Sequence, residues 1–170
     1  MKNKIKLLAI FLATTTAALA DNEVFDGQDV SGEDFSGSSY KNSSWVGVTA
    51  ESTIFSESSN VSNYSDAIFD KSNLSDSKLA YADLQNTSFK GAYLSATDFT
   101  GADLKNANFT NAILKGANLR YTKNLGDTQL RSASNITNIV LDTLNLSNFN
   151  LSGLDLSDVS MSGCDVKDVN

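Results

Sequence analysis

Large apolar residues recur at every fifth position through the central part of the chain. The run has no gap: Tyr64, Phe69, Leu74, Leu79, Leu84, Phe89, Leu94, Phe99, Leu104, Phe109, Leu114 and Leu119. A small residue stands two positions before nearly every member, as Ala102 does before Leu104. This period is neither the 3.6 residues of an α-helix nor the two residues of a flat strand. The pattern therefore predicts a repeat protein with an architecture of its own.

The same spacing continues towards the amino terminus. The upstream apolar positions are Phe25, Val30, Phe35, Tyr40, Trp45, Ala50 and Phe55. From Phe55 to Tyr64 the spacing is nine residues instead of ten. We therefore expect a one-residue slip of register, absorbed by a β-bulge or a tightened corner near residues 57–63.

Towards the carboxyl terminus, two columns of positions are apolar. One is Leu144, Phe149, Leu154, Val159 and Cys164; the other is Leu141, Leu146, Leu151, Leu156, Met161 and Val166. Several members of the second column follow an Asn or Asp and precede a Ser. Polar residues stand in the same order in the central run. The second column is therefore predicted to continue the central one, while the first puts larger groups at the small-residue position. We expect a more tightly filled core in this part.

An interruption divides the downstream repeats. The repeat blocks are 23–57, 62–121 and 139–168, with an insertion at 122–138. Leu130 and Ala133 lie three apart after Asp127, a residue type favoured as an N-cap, so a short helix is predicted near residues 125–133. We interpret the insertion as a local excursion that rejoins the stack near Leu141. The alternative is a binding loop, because irregular segments on rigid scaffolds often carry function.

The first twenty residues have the pattern of a secretion signal. Three lysines precede a short apolar run, and Ala18-Leu19-Ala20 ends it with a small-x-small cleavage pattern. The run is far shorter than the ~20 residues that cross a bilayer, so an uncleaved anchor is the less favoured alternative. We expect the signal peptide 1–20 to be removed after Ala20. Residues 21–170 then form a single exported domain, periplasmic or secreted, without stable membrane insertion.

The chain after residue 20 is acidic. It holds ten basic and twenty acidic residues, a net charge of −10, with the acids concentrated towards both ends. One interpretation is solubility and mutual repulsion of exposed ends; the other is an acidic surface for a basic partner. Nucleic acid is not expected as a ligand, because binding phosphates needs a basic surface. A single Cys excludes an intrachain disulfide framework.

Catalytic chemistry is not expected either. The chain has no His, the commonest general base and metal ligand. Its recurrent Asp residues stand directly before central apolar residues, as Asp83, Asp98 and Asp103 do. We therefore interpret them as part of the repeat and not as acid–base pairs. No enzyme activity, catalytic residue, metal site or cofactor is predicted.

The run Ala102-Asp103-Leu104-Lys105-Asn106-Ala107-Asn108-Phe109 resembles the pentapeptide-repeat family, whose repeat is a small residue, Asp or Asn, Leu or Phe, a polar residue, and Gly or a polar residue. The resemblance implies an all-β fold, a right-handed quadrilateral β-helix with four repeats per coil and about six coils. Residues two apart in an extended segment point the same way, so Ala102 and Leu104 can face inward while Asp103 faces out.

Coils of four repeats sort the central block into four core columns. They are Phe69, Phe89 and Phe109; Leu74, Leu94 and Leu114; Leu79, Phe99 and Leu119; and Tyr64, Leu84 and Leu104. Each buried Phe is expected to contribute roughly 1.5–3 kcal/mol. A charge in place of Phe89 is therefore expected to be severely destabilising.

The ends of such an array need covering, because a terminal coil exposes its backbone edge and its core. Either the bulky Phe35, Tyr40 and Trp45 fill one end, or an end pairs with another copy. We predict a homodimer through the terminal coil. The predicted dimer end consists of Met161, Cys164, Val166 and Val169. Cys164 is interpreted as a small buried residue, with an intermolecular disulfide as the alternative.

The predicted function is that of an exported, non-enzymatic scaffold with an unknown protein partner. An alternative follows from the resemblance, because some pentapeptide proteins are acidic, DNA-like rods that bind gyrase and confer quinolone resistance. The signal peptide disfavours that alternative, since gyrase is cytoplasmic. Location in a thylakoid lumen and secretion as an effector both stay open.

Overall fold

The computed structural model describes residues 21–59 and 61–169, whose backbone winds into stacked coils. Residues bridge in parallel to partners one coil later, and in the central part that partner lies twenty residues on, as Asn108 does from Ser88. One side of the coil can be followed through successive bridges: Asp34, Ile54, Lys78, Asp98, Asn118, Val140 and Ser160. The predicted signal peptide lies outside the described residues.

Regular elements are short, because each side of the coil gives only one or two residues to the ladder. The strands are β1, Ile54–Ser56, and β2, Lys78–Leu79, which pair in parallel. The helix found among the described residues is α1, Asp127–Ser132. Over residues 21–59 and 61–169, no helix is both long enough and apolar enough to span a membrane.

A tight turn closes each five-residue side. In a central example the Ala107 N–H donates to the Leu104 carbonyl oxygen over 3.0 Å, and Asn106 has a φ of 58°. This left-handed conformation is easiest for Gly and is tolerated by Asn. Gly and Asn accordingly hold most of the left-handed positions in the described residues.

Aromatic rings stack along one column of the core. The ring centroids of Phe69 and Phe89 are 5.4 Å apart and those of Phe89 and Phe109 are 5.3 Å apart, with interplanar angles of 11° and 7°. Trp45 and Phe25 extend this stack towards the amino terminus, at 5.5 Å and 3.8 Å. The other three central columns are fully buried: Leu74, Leu94, Leu114, Leu79, Phe99, Leu119, Tyr64, Leu84 and Leu104. The coil interior is therefore filled by the five-residue repeat itself.

A register shift of one residue does occur, within β1 and just before the predicted residues 57–63, because Ile54 pairs with Lys78 and Ser56 pairs with Leu79. The spacing between Phe55 and Tyr64 is in addition one longer side of the coil. Across it the ladder partner lies 24 residues on, as Ile54 pairs with Lys78. The core stays in phase, because the rings of Tyr40 and Tyr64 stack at 5.2 Å. The nine residues from Phe55 to Tyr64 form one side of the coil with four extra residues, and not two sides of which one lacks a residue.

Helix α1 replaces one side of the coil. Ladder bridges at Lys123 and Asn135 flank it, so the irregular segment is 124–134, shorter than the predicted insertion 122–138. The helix itself lies within the predicted interval. Its Leu130 is fully buried and fills the core where a repeat residue would otherwise stand.

The N-cap of α1 is Gly126, and Asp127 is the first helical residue instead of the predicted cap. The Gly126 N–H donates to the Gln129 side-chain oxygen over 2.7 Å. The Asp127 carboxylate instead accepts from the Thr128 N–H and, through its other oxygen, from the Asn150 N–H of the next coil. Asp127 is therefore engaged in holding two coils together.

The last coil is less buried than the sequence predicts. Its register is that of the second apolar column, because the Leu141 N–H donates to Ser160 just as the Leu119 N–H donates to Val140. Its core residues beyond Leu151 are only partly buried: Leu154, Leu156, Val159, Met161 and Cys164. The expectation of a more tightly filled core was wrong here, because among the described residues this coil is packed on one side only.

Candidate functional site

Most Asp and Asn side chains before a central apolar residue are engaged in their own turn. Asp98 is typical: one carboxylate oxygen accepts from the Thr100 N–H at 3.0 Å and from its hydroxyl at 2.6 Å. The same contact to the N–H two residues on recurs at Asp29, Asp34, Asn63, Asn73, Asp83, Asp103, Asn108, Asn118, Asn135, Asn145, Asn150, Asp155 and Asp165. These polar groups therefore hold the backbone and are not gathered into a site.

A second set of aspartates joins neighbouring coils. Each accepts from a Ser hydroxyl 18 residues on and from a backbone N–H twenty residues on: Asp21, Asp26, Asp70 and Asp142. Asp142 is buried and also accepts from the Arg120 guanidinium of the preceding coil. The hydrogen bond from Ser160 and the Arg120 guanidinium together lower the pKa of Asp142 to about 2.

In the part of the chain that the structure describes, no group of three or more His, Cys, Asp or Glu residues could hold a metal ion. The buried polar group without a hydrogen-bond partner among those residues is the Tyr64 hydroxyl. Burial raises the pKa of Tyr64 well above its usual range. Since the hydroxyl lies inside the core, it is not accessible to a ligand.

Helix α1 is fastened to the coils on both sides of it. The Gln129 side-chain amide donates to the carbonyl oxygens of Leu104 at 2.7 Å and Ala107 at 3.0 Å, replacing a missing ladder donor. On the other side the Arg131 guanidinium donates to the carbonyl oxygens of Asn150 and Ser152. These contacts favour the interpretation of the insertion as a local excursion. Sequence reasoning missed Gln129 and Arg131, although a Gln three residues after the N-cap is a recognised signal.

A cleft of about 270 Å³ lies beside the helix. It is lined by residues 133–137 and 153–155, a mixture of small polar side chains with Ile136 and Leu154. Its carboxylate, Asp155, is turned to its own loop, where it accepts from the Ser157 N–H and hydroxyl. The cleft therefore offers little polar chemistry that the fold does not already use.

The four residues of the predicted dimer end lie on the last coil. Val166 is 54% exposed, while Met161, Cys164 and Val169 are partly buried. The Cys164 thiol donates inward to the Leu141 carbonyl oxygen, with the sulfur 3.1 Å from that oxygen. The end thus presents an apolar rim, and its thiol is directed towards the preceding coil.

The repeat pattern gives no indication of a group of exposed tyrosines. Tyr81, Tyr93 and Tyr121 are outside the core columns, and all three are exposed. Tyr81 and Tyr121 occupy left-handed corner positions, whereas Tyr93 lies on a side of the coil. A large aromatic residue at a corner where Gly or Asn is usual was the available signal.

Comparisons with solved structures find several repeat proteins. HetL, a pentapeptide-repeat protein involved in heterocyst differentiation regulation in Nostoc sp. strain PCC 7120, is 18% identical, with 95% of this chain and 92% of that chain covered and a TM-score of 0.37. Rfr23 from Cyanothece 51142 is 16% identical, with coverages of 94% and 95% and a TM-score of 0.34. QnrB1, a plasmid-mediated fluoroquinolone resistance protein, is 18% identical, with coverages of 81% and 93% and a TM-score of 0.31.

Comparison with curated proteins gives no significant match. The family model described as pentapeptide repeats matches in eight copies, over residues 65–95, 92–134 and 134–170. Upstream of that match the same ladder is present in the structure, as in the bridge from Val24 to Ser44. The chain therefore belongs to the pentapeptide-repeat family, whose members fold as right-handed quadrilateral β-helices and are generally non-enzymatic structural or interaction proteins.

Proposed function

We propose that this chain is an exported, non-enzymatic solenoid, a right-handed quadrilateral β-helix of about six coils, that serves as a protein-interaction or structural scaffold. The observation that carries the proposal is that the polar side chains of the repeat are engaged in holding the backbone. Asp side chains that could have formed an acid–base pair accept hydrogen bonds from their own turns or from the next coil, as Asp98 and Asp142 do. What the molecule offers to a partner is therefore its surface.

Export is supported by the cationic start, the apolar run and the Ala18-Leu19-Ala20 pattern. The test is fractionation of cells that make the native protein, followed by amino-terminal sequencing. We expect a mature chain that begins at Asp21, in the periplasm or the medium. The control variant Ala18→Arg removes the small residue from the cleavage pattern and should leave an uncleaved precursor.

Recovery of the intact precursor in the cytosol would contradict export. It would also favour the gyrase-binding alternative, which a binding assay with purified gyrase then tests directly. Mature protein in the periplasm with no effect on gyrase supports the scaffold proposal.

Self-association through the last coil is part of the proposal. Val166 and its partly buried neighbours expose apolar surface at one end of the stack. In light scattering at micromolar concentrations, we expect a dimer that Val166→Asp converts to a monomer. Val24→Asp, at a residue that is exposed near the opposite end, is the matched control and should leave the dimer intact. A wild-type monomer would contradict this part of the proposal.

A further inference from the structure

The segment 149–156, which we call the end strap, belongs to two successive sides of the last coil. Among the described residues, its backbone–backbone hydrogen bonds only close turns within the same coil. The residues that flank it are joined to other coils. On one flank the Asn148 N–H donates to the Lys167 carbonyl oxygen at 3.1 Å. On the other flank the Ser157 carbonyl oxygen accepts from the Asn138 N–H at 2.9 Å.

A gap in the ladder separates the end strap from the preceding coil. On this side of the solenoid, bridges join Tyr93 to Ile113 and Ile113 to Asn135. Asp155 is the next residue of the same column, but in the part of the chain that the structure describes no bridge joins it to Asn135. The cleft of about 270 Å³ beside α1 is lined by residues of both coils at this place. The end strap is therefore parted from the coil on which it should pair.

Two side chains of α1 hold the end strap instead. The Arg131 guanidinium donates to the carbonyl oxygens of Asn150 at 3.2 Å and Ser152 at 2.8 Å. The Asp127 carboxylate accepts from the Asn150 N–H at 3.1 Å. Within residues 21–59 and 61–169, the strap has no other hydrogen bond to a neighbouring coil. Because Arg131 is exposed, water competes for its bonds and keeps their net contribution small.

The end strap also buries little apolar surface. Leu151 is its buried apolar residue, at 6% exposure, whereas Phe149, Leu154 and Leu156 are only partly buried. Ordering the strap costs conformational entropy that these few contacts must offset. Segments with few buried apolar contacts and exposed hydrogen bonds open locally, at a lower free energy than the whole domain unfolds.

We propose that the end strap is a hinged flap that opens and closes while the other coils stay folded, with Asp127 and Arg131 as its latch. Its hinges are the two flanking hydrogen bonds, at Asn148 and Ser157. Opening gives access to the cleft and to the free ladder edge at Asn135. The proposal goes beyond the scaffold function, because it gives one end of the solenoid a movable part.

Thiol labelling measures the opening, because a buried cysteine reacts only when the segment that covers it opens. Leu151→Cys in a Cys164→Ser background is the probe of the strap. Leu94→Cys in the same background is the reference, since Leu94 is fully buried in the central block. With Ellman's reagent, we expect Leu151→Cys to react at least tenfold faster than Leu94→Cys and with a weaker dependence on urea, as local opening exposes less surface than global unfolding.

The latch is tested by adding Arg131→Ala to both probes. It should speed the labelling of Leu151→Cys about tenfold, the loss of one hydrogen bond to a charged group, and leave that of Leu94→Cys unchanged. Arg131→Lys keeps a charged donor and should give an intermediate rate. Lys115→Ala removes another exposed cation, on the neighbouring coil, and should change neither rate.

The proposal is overturned if Leu151→Cys reacts as slowly as Leu94→Cys with the same urea dependence, because the strap then opens only on global unfolding. It is also overturned if Arg131→Ala accelerates both probes equally, or neither.

Hydrogen exchange followed by NMR is the second measurement, on a chain without introduced cysteines. The Leu154 N–H, which donates to the Leu151 carbonyl oxygen, should exchange about tenfold faster in Arg131→Ala, while the Leu94 N–H stays unchanged. Unchanged exchange at Leu154 would contradict the latch. Purified protein is used and no partner enters, so a failure here is distinguishable from a failure of the scaffold proposal.

Discussion

Replacement of Phe89 by a charged residue tests the stacked core where it is most regular. The ring is fully buried, parallel to Phe69 and Phe109 at 5.4 and 5.3 Å, and edge-on to Phe99 at 5.8 Å. Burial of a Phe side chain is worth ~1.5–3 kcal/mol, and each aromatic contact adds ~0.5–1.5 kcal/mol. Loss of the ring in Phe89→Ala should therefore cost about 3–5 kcal/mol, the range seen for large core truncations.

The Asp variant should be worse than the Ala variant. It loses the same contacts and also places a carboxylate in the core without a partner, at a further cost of several kcal/mol. The total approaches the ~5–15 kcal/mol net stability of a whole domain. We therefore expect Phe89→Asp to be unfolded at 25 °C, or to melt more than ~15 °C below the wild type.

Thermal and urea unfolding followed by circular dichroism measure this effect. Tyr93→Asp is the matched control, because the Tyr93 side chain is exposed and an Asp, Asp29, stands in the same ladder column. That variant should stay within ~0.5 kcal/mol of the wild type. A Phe89→Asp protein that melts like the wild type would refute the stacking of this column.

Three further variants test individual contacts. Tyr64→Phe removes a buried hydroxyl without a partner and should raise the free energy of unfolding by ~1 kcal/mol in urea denaturation; a loss would mean that the hydroxyl is bonded. The pKa of Asp142 is about 2 in the folded protein, below its usual value, so its stabilising effect is present above pH ~4 and is lost as the pH falls towards 2. Asp142→Asn should flatten the acid limb of a stability–pH profile, and an unchanged limb would speak against this contact. Gly101→Ala should lower the melting temperature more than Gly47→Ala, which is expected to cost ~1 kcal/mol. Both glycines have a positive φ, but only a Cβ at position 101 would meet the Tyr81 ring. Equal losses of melting temperature would contradict the placement of that ring.

The core columns of the central block could be predicted from sequence, because the repeat determines both which residues face inward and how many residues form one coil. Once four units of five residues form a coil, Phe69, Phe89 and Phe109 must lie above one another, and the rings do stack. The longer side after Phe55 could not be predicted in the same way. Counting residues gives the position of each residue within its repeat. It does not show whether the irregular spacing lengthens one side of the coil or shortens one of two sides, and the ladder from Ile54 to Lys78 is needed to decide this.

The contacts around α1 needed the three-dimensional structure. Gln129 is an ordinary polar residue in sequence, yet its amide reaches two carbonyl oxygens on the coil above. The alignment of the exposed Tyr81 and Tyr121 was hidden for a related reason. Tyr81 and Tyr121 are forty residues apart in sequence and stand outside the apolar columns. Their alignment is therefore seen only when the corners of successive coils, and not just the sides, are placed above one another.

Disulfide formation between engineered cysteines tests the stacked coil most directly. In a Cys164→Ser background, Ser44→Cys with Ile68→Cys joins bridge partners across the 24-residue coil, and Ser44→Cys with Ser88→Cys joins positions two levels apart. The first pair should oxidise readily to an intramolecular disulfide, because bridge partners lie within the Cα separation that a disulfide needs, and the second pair, ~9.6 Å apart, should not. Failure of the first pair to cross-link, or efficient cross-linking of the second, would contradict this arrangement of the coils.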